Sequence, residues 1–515
     1  MSDSNQITTL ENRISELEQE NKRLHDTVEY LTRKLFGRSS EKTAVLALGQ
    51  LCLFDEAEVQ ADPKAPEPDL NEVTKWRHKK FKGQKKELLK DLPHEKQLHV
   101  LVEEDQFCET CQTALVRVGE EFVRTEIEYI PAKVRVIDHF RETYECRTCR
   151  KNGDPYMEKS PVPSPVILHS MASPSTVAWV MHQKFVNALP LYRQENEWKT
   201  LGVNLSRATM ANWIMAASRD WLTPIVERLH QKLIQEKHLH ADETAVQVMN
   251  EEDRKNTTDS YMWVYSTGQY SKNQTRIFEY QPGRSGKYPQ KFLNGFQGYL
   301  HTDAYAGYKK VQEITRCMCW SHVRRNFVDA LPKDIQSPEV TLPSEGIKFC
   351  NKLFEIEDTL GSQTSERRRT ERLKQEKPVL EAFLAWVESA RTSGRILPKS
   401  KLSDALNYAH NHKEDLMNYL ENGDCSISNN LAENSIRPFT VGRKNWLFSG
   451  SPMGAAASAA VYSIVETAKV NNLNPYKYLY FIFSQLPVVP FGQYPELLED
   501  FLPWSPEVQA ACTQD

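Results

Sequence analysis

Apolar residues near the start of the chain fall at Ile7, Leu10, Ile14, Leu17, Leu24, Val28, Leu31 and Leu35, with Asn21 on the same seam. The steps alternate between three and four, and charged residues fill most positions off the seam. That spacing predicts a coiled coil within residues 1–50 that pairs two copies of the chain; one polar seam residue lowers stability but can set register. An amphipathic helix packed on its own body would show the same stripe. Phe36 and Gly37 end the pattern. Residues 51–95 have no such period. They are acidic and proline-containing at 55–70, a predicted linker, and then basic. Lys75, Arg77, Lys79, Lys80, Lys82, Lys85, Lys86 and Lys90 crowd around Trp76 and Phe81. Such a run is a solvated segment or an arm that meets phosphates.

Helical spacing returns over 165–225. One helix is expected at 175–186 and a second at 191–201. Gly202 makes a turn, and Ser206 caps a third helix that carries Met210, Trp213 and Ile214. Helix, glycine turn and Ser-capped helix outline a helix-turn-helix region, in which Arg207, Thr209 and Asn212 would face a DNA groove. A small helical bundle has the same outline. From residue 236 the period shortens to two. Strands are expected at 239–249, 261–267 and 275–280, then a helix at 288–296, strands at 298–303 and 315–319, and a helix through His322 and Phe327. A three-strand meander followed by alternating helix and strand is the order of a ribonuclease-H-like α/β core, placed at 236–470. A mostly helical insertion at 332–425 interrupts it, and 471–515 form a C-terminal element. The predicted class is a multidomain α+β protein.

Composition changes this picture little. Hydrophobic residues make up 40% and charged residues 26%, and the net charge is −4 with a pI near 6.4. Any nucleic-acid surface must therefore come from local patches. The polar, acidic start is no secretory signal, and the most apolar stretch, 478–491, is too short and interrupted for a membrane span. A cytoplasmic, membrane-free protein is expected. Ten cysteines in a long chain without an export signal then read as metal ligands rather than a disulfide scaffold. Cys108 and Cys111 pair before the β-rich stretch 122–144, and Cys146 and Cys149 pair after it. Four thiolates suit one tetrahedral zinc, structural because no coordination position stays open. This predicts a zinc-binding module at 96–160.

The core supplies candidate chemistry. Asp242 lies in His240-Ala241-Asp242-Glu243-Thr244 on its first strand, where a buried acid is costly unless paired or metal-bound. Alternation sets His240, Asp242 and Thr244 on one face and Ala241 and Glu243 on the other, so Glu243→Gln is expected to leave activity largely intact. Asp303 ends the fourth strand, which should neighbour the first. Glu433 shares a helical polar stripe with Asn430, Asn434 and Arg437. Arg443 and Lys444 follow in a basic and aromatic strip, 441–448, fit for a DNA strand end. Three carboxylates suit two Mg²⁺ or Mn²⁺ ions, which activate a water or a 3′-hydroxyl in an in-line displacement at phosphorus. Cys319-Trp320-Ser321-His322 is open to two readings. It is a core cysteine with a helix-start histidine, or it puts His322 near the scissile phosphate with Arg324 and Arg325.

At these residues a resemblance becomes visible. Leu35-Phe36-Gly37-Arg38-Ser39-Ser40-Glu41-Lys42, the two cysteine pairs, Ala241-Asp242-Glu243-Thr244, Thr302-Asp303-Ala304-Tyr305-Ala306-Gly307-Tyr308, and the stretch from Glu433-Asn434 through Gly450 occur in the order of the insertion sequence 66 family of DDE-type transposases. The chain resembles that family from about residue 7 to residue 483. The resemblance implies that Asp242, Asp303 and Glu433 form the catalytic triad, that the core is ribonuclease-H-like, and that the N-terminal region binds terminal inverted repeats. It also implies two small accessory proteins from the same element. A non-catalytic dimeric DNA-binding regulator would need only the zinc module, helix-turn-helix and coiled coil, and would tend to lose carboxylates first. A structure-selective nuclease would not need so much N-terminal apparatus. His322-x-x-Arg325 mimics half of a tyrosine-recombinase site, but no tyrosine lies between it and Tyr408.

Overall fold

The computed structural model describes residues 134–152, 157–332 and 341–513. The expected coiled coil, the linker and basic arm, and Cys108 and Cys111 lie outside these residues. Of the expected zinc module, the described part holds a short antiparallel pair, β1 (Thr143–Glu145) with β2 (Met157–Lys159), and a helix at Arg147–Lys151 between them. Cys146 lies at that join.

Four helices lead into the sheet: α1 (Pro174–Phe185), α2 (Leu191–Thr200), α3 (Arg207–Ala217) and α4 (Thr223–Leu233). Their starts follow local rules. Ser173 accepts the Thr176 amide at 3.2 Å and Ser206 accepts the Thr209 amide at 3.1 Å, each satisfying a free first-turn N–H. Val177, Met181, Met210, Trp213, Ile225 and Leu229 all turn inward, into one hydrophobic core shared with the sheet.

The sheet runs in the order β5-β4-β3-β6-β7, where β3 is His238–Val248, β4 Asp259–Thr267, β5 Arg276–Gln281, β6 Gly298–Thr302 and β7 Ile314–Met318. β3, β4 and β5 form the antiparallel meander. β6 then lies parallel to β3 on its other side, and β7 parallel to β6. The helix α5 (Lys287–Phe292) makes the first crossover, and α6 (Trp320–Asp329) leaves β7. A two-residue strand, β8 (Phe448–Ser449), pairs with the far end of β3.

The edge strand β5 is closed by side chains instead of another strand. On α11 (Pro452–Val470), Ser463 Oγ accepts the Phe278 amide at 2.8 Å and Thr467 Oγ1 accepts the Arg276 amide at 3.0 Å. Alanines on that helix (Ala455, Ala459, Ala460) let it approach closely enough to do so. Otherwise the edge would offer unpaired amides to another chain.

The insertion is helical: α7 (Leu342–Leu360), α8 (Ser365–Thr392) and α9 (Lys401–Asn411). They enclose a second core with Trp320, Val323 and Phe327 of α6. Arg372, buried on α8, pairs with Glu357 and donates to the carbonyls of Asn422 and Cys425, which holds the returning segment down. That segment enters α10 (Asn430–Trp446), after which α11 and α12 (Pro475–Gln485) complete the core. Among the described residues, no helix is long and apolar enough to cross a membrane.

Candidate metal centre

The centre is assembled from three distant pieces of chain. Asp242 projects from the middle of β3, Asp303 follows the end of β6, and Glu433 sits in the first turn of α10. β3 and β6 are neighbours, paired at Leu239↔Leu300 and His240↔His301, so their carboxylates leave the sheet together. Asn429 brings in the third. It is 1% exposed; its side-chain amide donates to the Ala241 carbonyl at 2.8 Å, and its Oδ1 meets His240 Nδ1 at 3.0 Å. The start of α10 is thereby stapled to the strand residues just before Asp242.

Burial, reinforced by like charge, sets the electrostatics of Asp242. Burial pushes the Asp242 carboxyl up to about 8, and the charges of Glu243, Asp303 and Glu433 push in the same direction. His322 Nδ1 faces Glu433 Oε1 at 3.6 Å, and both atoms are buried without a hydrogen-bond partner. Burial lowers the His322 pKa, so a neutral ring, without a compensating positive charge, faces the Glu433 oxygen. Cys319 Sγ lies in the same group, within 4.8 Å. A divalent cation resolves each of these strains, so the residues fit one. Their oxygen donors match hard ions such as Mg²⁺ or Mn²⁺.

Two loops hold Asp303. The Tyr305 amide donates to Asp303 Oδ1 at 2.9 Å. Arg316, buried on β7, donates to Thr302 Oγ1 at 2.8 Å and to the carbonyls of Asp303 and Tyr305. The loop after β5 presses on this turn at glycine: a Cβ on Gly286 would come within 2.5 Å of the Gly307 carbonyl oxygen. That approach brings Arg284 in, and its guanidinium lies 2.6 Å from Glu243 and 4.0 Å from Asp303.

The expectation that Glu243 stands apart from the site is thus corrected. Its side chain is 1% exposed, and it receives the Tyr308 hydroxyl at 2.5 Å as well as Arg284. Strand alternation reports which face a residue leaves from; it does not report that a loop from β5 bridges the two. Arg284, Arg316, Tyr308 and Asn429 were all missed as site residues. Their sequence signals were the glycines of Pro282-Gly283-Arg284-Ser285-Gly286, the place of Tyr308 in the motif 302–308 and the Asn429-Asn430 pair preceding a helix; Arg316 had none.

The remaining candidates divide. Arg325 joins the centre, with Nη2 3.4 Å from Glu433, and Arg443 reaches Thr244 Oγ1 at 3.1 Å. Asn434, Arg437 and Lys444 are exposed along α10. Within the strip 441–448, the residues up to Trp446 continue α10 and the Trp446 ring lies under Lys184 at 4.0 Å and against Phe185, whereas Lys444, Leu447 and Phe448 are exposed. Arg207 and Asn212 are exposed on α3, whereas the Thr209 hydroxyl is engaged by Ser206 at 2.9 Å.

The mixed sheet and the helix that returns to it bring three acids together, a set of oxygen donors that could hold a divalent cation. Comparison with known proteins gives the family. The model described as Transposase IS66 family matches residues 169–457, and that of the IS66 C-terminal element matches 463–504. The zinc-finger binding domain of transposase IS66 matches 105–150, and Transposase C of IS166 homeodomain matches 23–96. The chain belongs to the IS66 transposase family. It is 26% identical to the uncharacterized protein y4hP of Sinorhizobium fredii, over 94% of this chain and 89% of that one. It is also 26% identical to y4jD of the same organism, over 94% of both. The Drosophila P element transposase strand transfer complex aligns with 62% of this chain and 94% of its own at 12% identity, with a TM-score of 0.33, too low to establish a common fold.

Proposed function

We propose that this chain is a DDE-type transposase that binds the inverted-repeat ends of an insertion sequence and catalyses metal-dependent strand cleavage and strand transfer. Asp242, Asp303 and Glu433 act as the triad in a ribonuclease-H-like core. The observation that carries the reading is that Asp303, after β6, and Glu433, on α10, lie close enough to the buried Asp242 of β3 for their charges to add to the upward push on its carboxyl, beside a Glu433 oxygen that has no hydrogen-bond partner. The strand order, an antiparallel meander extended by two parallel strands on the far side of β3, supports the core assignment.

The triad would hold two Mg²⁺ or Mn²⁺ ions, which when bound supply an activated water or 3′-hydroxyl and stabilise the leaving oxygen. The chain's own residues then position DNA. Arg325, more than half exposed, presents a fixed positive charge beside Glu433 for a phosphate oxygen. With its pKa lowered by burial, His322 beside Glu433 brings no fixed positive charge to compete with a metal ion. Exposed Asn434, Arg437 and Lys444, with Arg443, line the route of a strand along α10. Arg207 and Asn212 on α3 offer a second contact surface for element ends. The quartet Cys108, Cys111, Cys146 and Cys149 would hold a structural zinc. The partners are element-end and target DNA, a second copy through the N-terminal coiled coil, and the element's small accessory proteins. The protein acts in the cytoplasm.

Asp242→Asn, Asp303→Asn and Glu433→Gln test the assignment, since each keeps size and removes one ligating charge. Each should abolish metal-dependent cleavage and joining of element-end DNA while end binding persists. Wild-type cleavage by any one of the three would sink it.

A further inference from the structure

A second cluster of ligand atoms lies deeper on the same sheet. His301 on β6, Cys317 on β7 and Cys425 on the segment returning from the insertion are each at most 1% exposed. One ring nitrogen of His301 and the two sulfurs lie within 4.8 Å of one another. The register explains the row: His240 pairs with His301 across β3 and β6, and His301 with Cys317 across β6 and β7. Cys425 is laid over the row by the Arg372 clamp on its carbonyl.

The imidazoles around the row are set up as donors. His301 Nδ1 meets the Leu239 carbonyl at 3.1 Å, which fixes the proton there and leaves the Nε2 lone pair free to bond. A backbone carbonyl orients metal-binding histidines in just this way. That lone pair takes the Ser426 amide at 2.9 Å, a bond that coordination would replace. His240 stacks on His301 with centroids 4.3 Å apart, and His238 also borders Cys425. The Nε2 atoms of His238 and His240 are buried and have no hydrogen-bond partner. So many unsatisfied imidazole nitrogens around two thiols are costly in a core unless something ligates them.

We propose that His301, Cys317 and Cys425 bind a structural zinc ion, with a neighbouring histidine of β3 completing the shell. Two thiolates and imidazole nitrogens select a borderline-soft ion, unlike the oxygen-rich triad. Burial leaves no open position for a substrate. The ion joins three pieces of chain: the strand that ends in Asp303, the strand that leads to His322, and the segment that leads to Glu433. It therefore locks the end of the insertion to the sheet, four residues before Asn429. The site uses none of the four cysteines of the 108–149 quartet and does not depend on the triad's role.

The test uses the full-length chain carrying Cys108→Ser and Cys111→Ser, purified under reducing conditions, so that the N-terminal quartet cannot hold metal. Elemental analysis should find one zinc per chain. Exchange with Co²⁺ should give a thiolate-to-cobalt charge-transfer band. Adding Cys425→Ser should remove that equivalent and the band. In the wild-type chain, Cys425→Ser alone should lower zinc by one equivalent. No zinc and no band in the first variant would overturn the proposal, whether or not Cys425→Ser folds. So would zinc unchanged by Cys425→Ser, or a Cys317–Cys425 disulfide found in zinc-free protein, which would mark the pair as redox-active thiols.

Discussion

Asn429→Ala is the sharpest probe of how the centre is held together. The native side chain makes two buried hydrogen bonds to β3, one to the Ala241 carbonyl and one to His240 Nδ1, at 2.8 and 3.0 Å. Alanine removes both partners and leaves two buried polar groups on the strand without them. Each such loss costs about 1–3 kcal/mol, so about 2–6 kcal/mol together. The cost falls on docking of the first turn of α10, because the Asn429 amide bond to Cys319 Sγ is a backbone contact that survives. Hydrogen exchange of the amides in 430–446 should report an opening equilibrium raised roughly 30-fold or more, at ~1.4 kcal/mol per factor of ten. Strands β4 and β5 should keep their protection. Cleavage should fall with the loss of docking, as Glu433 no longer dwells beside Asp242, and DNA-end binding should not. Protection of 430–446 within about 0.5 kcal/mol of wild type would refute the idea that Asn429 positions the helix.

Other residues give independent checks. Glu243→Gln removes the charge that holds Arg284 near Asp303; cleavage should drop about tenfold, consistent with ~1.5 kcal/mol for a charge-assisted bond, and unchanged cleavage would return Glu243 to the role of bystander. Thr467→Val deletes the hydroxyl that both accepts from and donates to the Arg276 backbone at the β5 edge; about 1–3 kcal/mol should be lost in denaturant unfolding, with a greater tendency to associate. Burial pushes the Lys184 ammonium from 10.5 down to about 8. Its folded pKa is below its unfolded one, so the charged form is a liability that is full below about pH 8 and fades as pH rises toward 10.5. Lys184→Met should therefore raise the melting temperature at pH 7, by about 1–3 kcal/mol in stability after loss of the cation–π contact with Trp446, and the gain should vanish near pH 10.5. A gain that persists at high pH would mean packing, not charge, is responsible.

Local patterning by itself determined much of this protein. The alternation from His238 onward placed β3 to β7 within a few residues of where they lie, and Ser206 marked the start of α3. These are short-range facts: side-chain period, capping oxygens and turn residues act over a few positions, so they are written in consecutive letters. Asp242 stood out for the same reason, as an acid in a strand that reads as buried, whereas Asp303 was marked by its place at a strand end and Glu433 by its polar helix stripe. Tertiary structure alone decided what surrounds them. Asn429 meets Ala241 across 188 positions, Arg284 reaches Glu243 across 41, and Cys425 arrives over His301 only after the whole insertion has folded back. Trp446 reads as a residue for DNA until α1 covers it with Lys184 and Phe185. Periodicity shows which face of an element is apolar, but the partner that covers or bridges that face is set by chain return, and its energy depends on pairs that no local window contains.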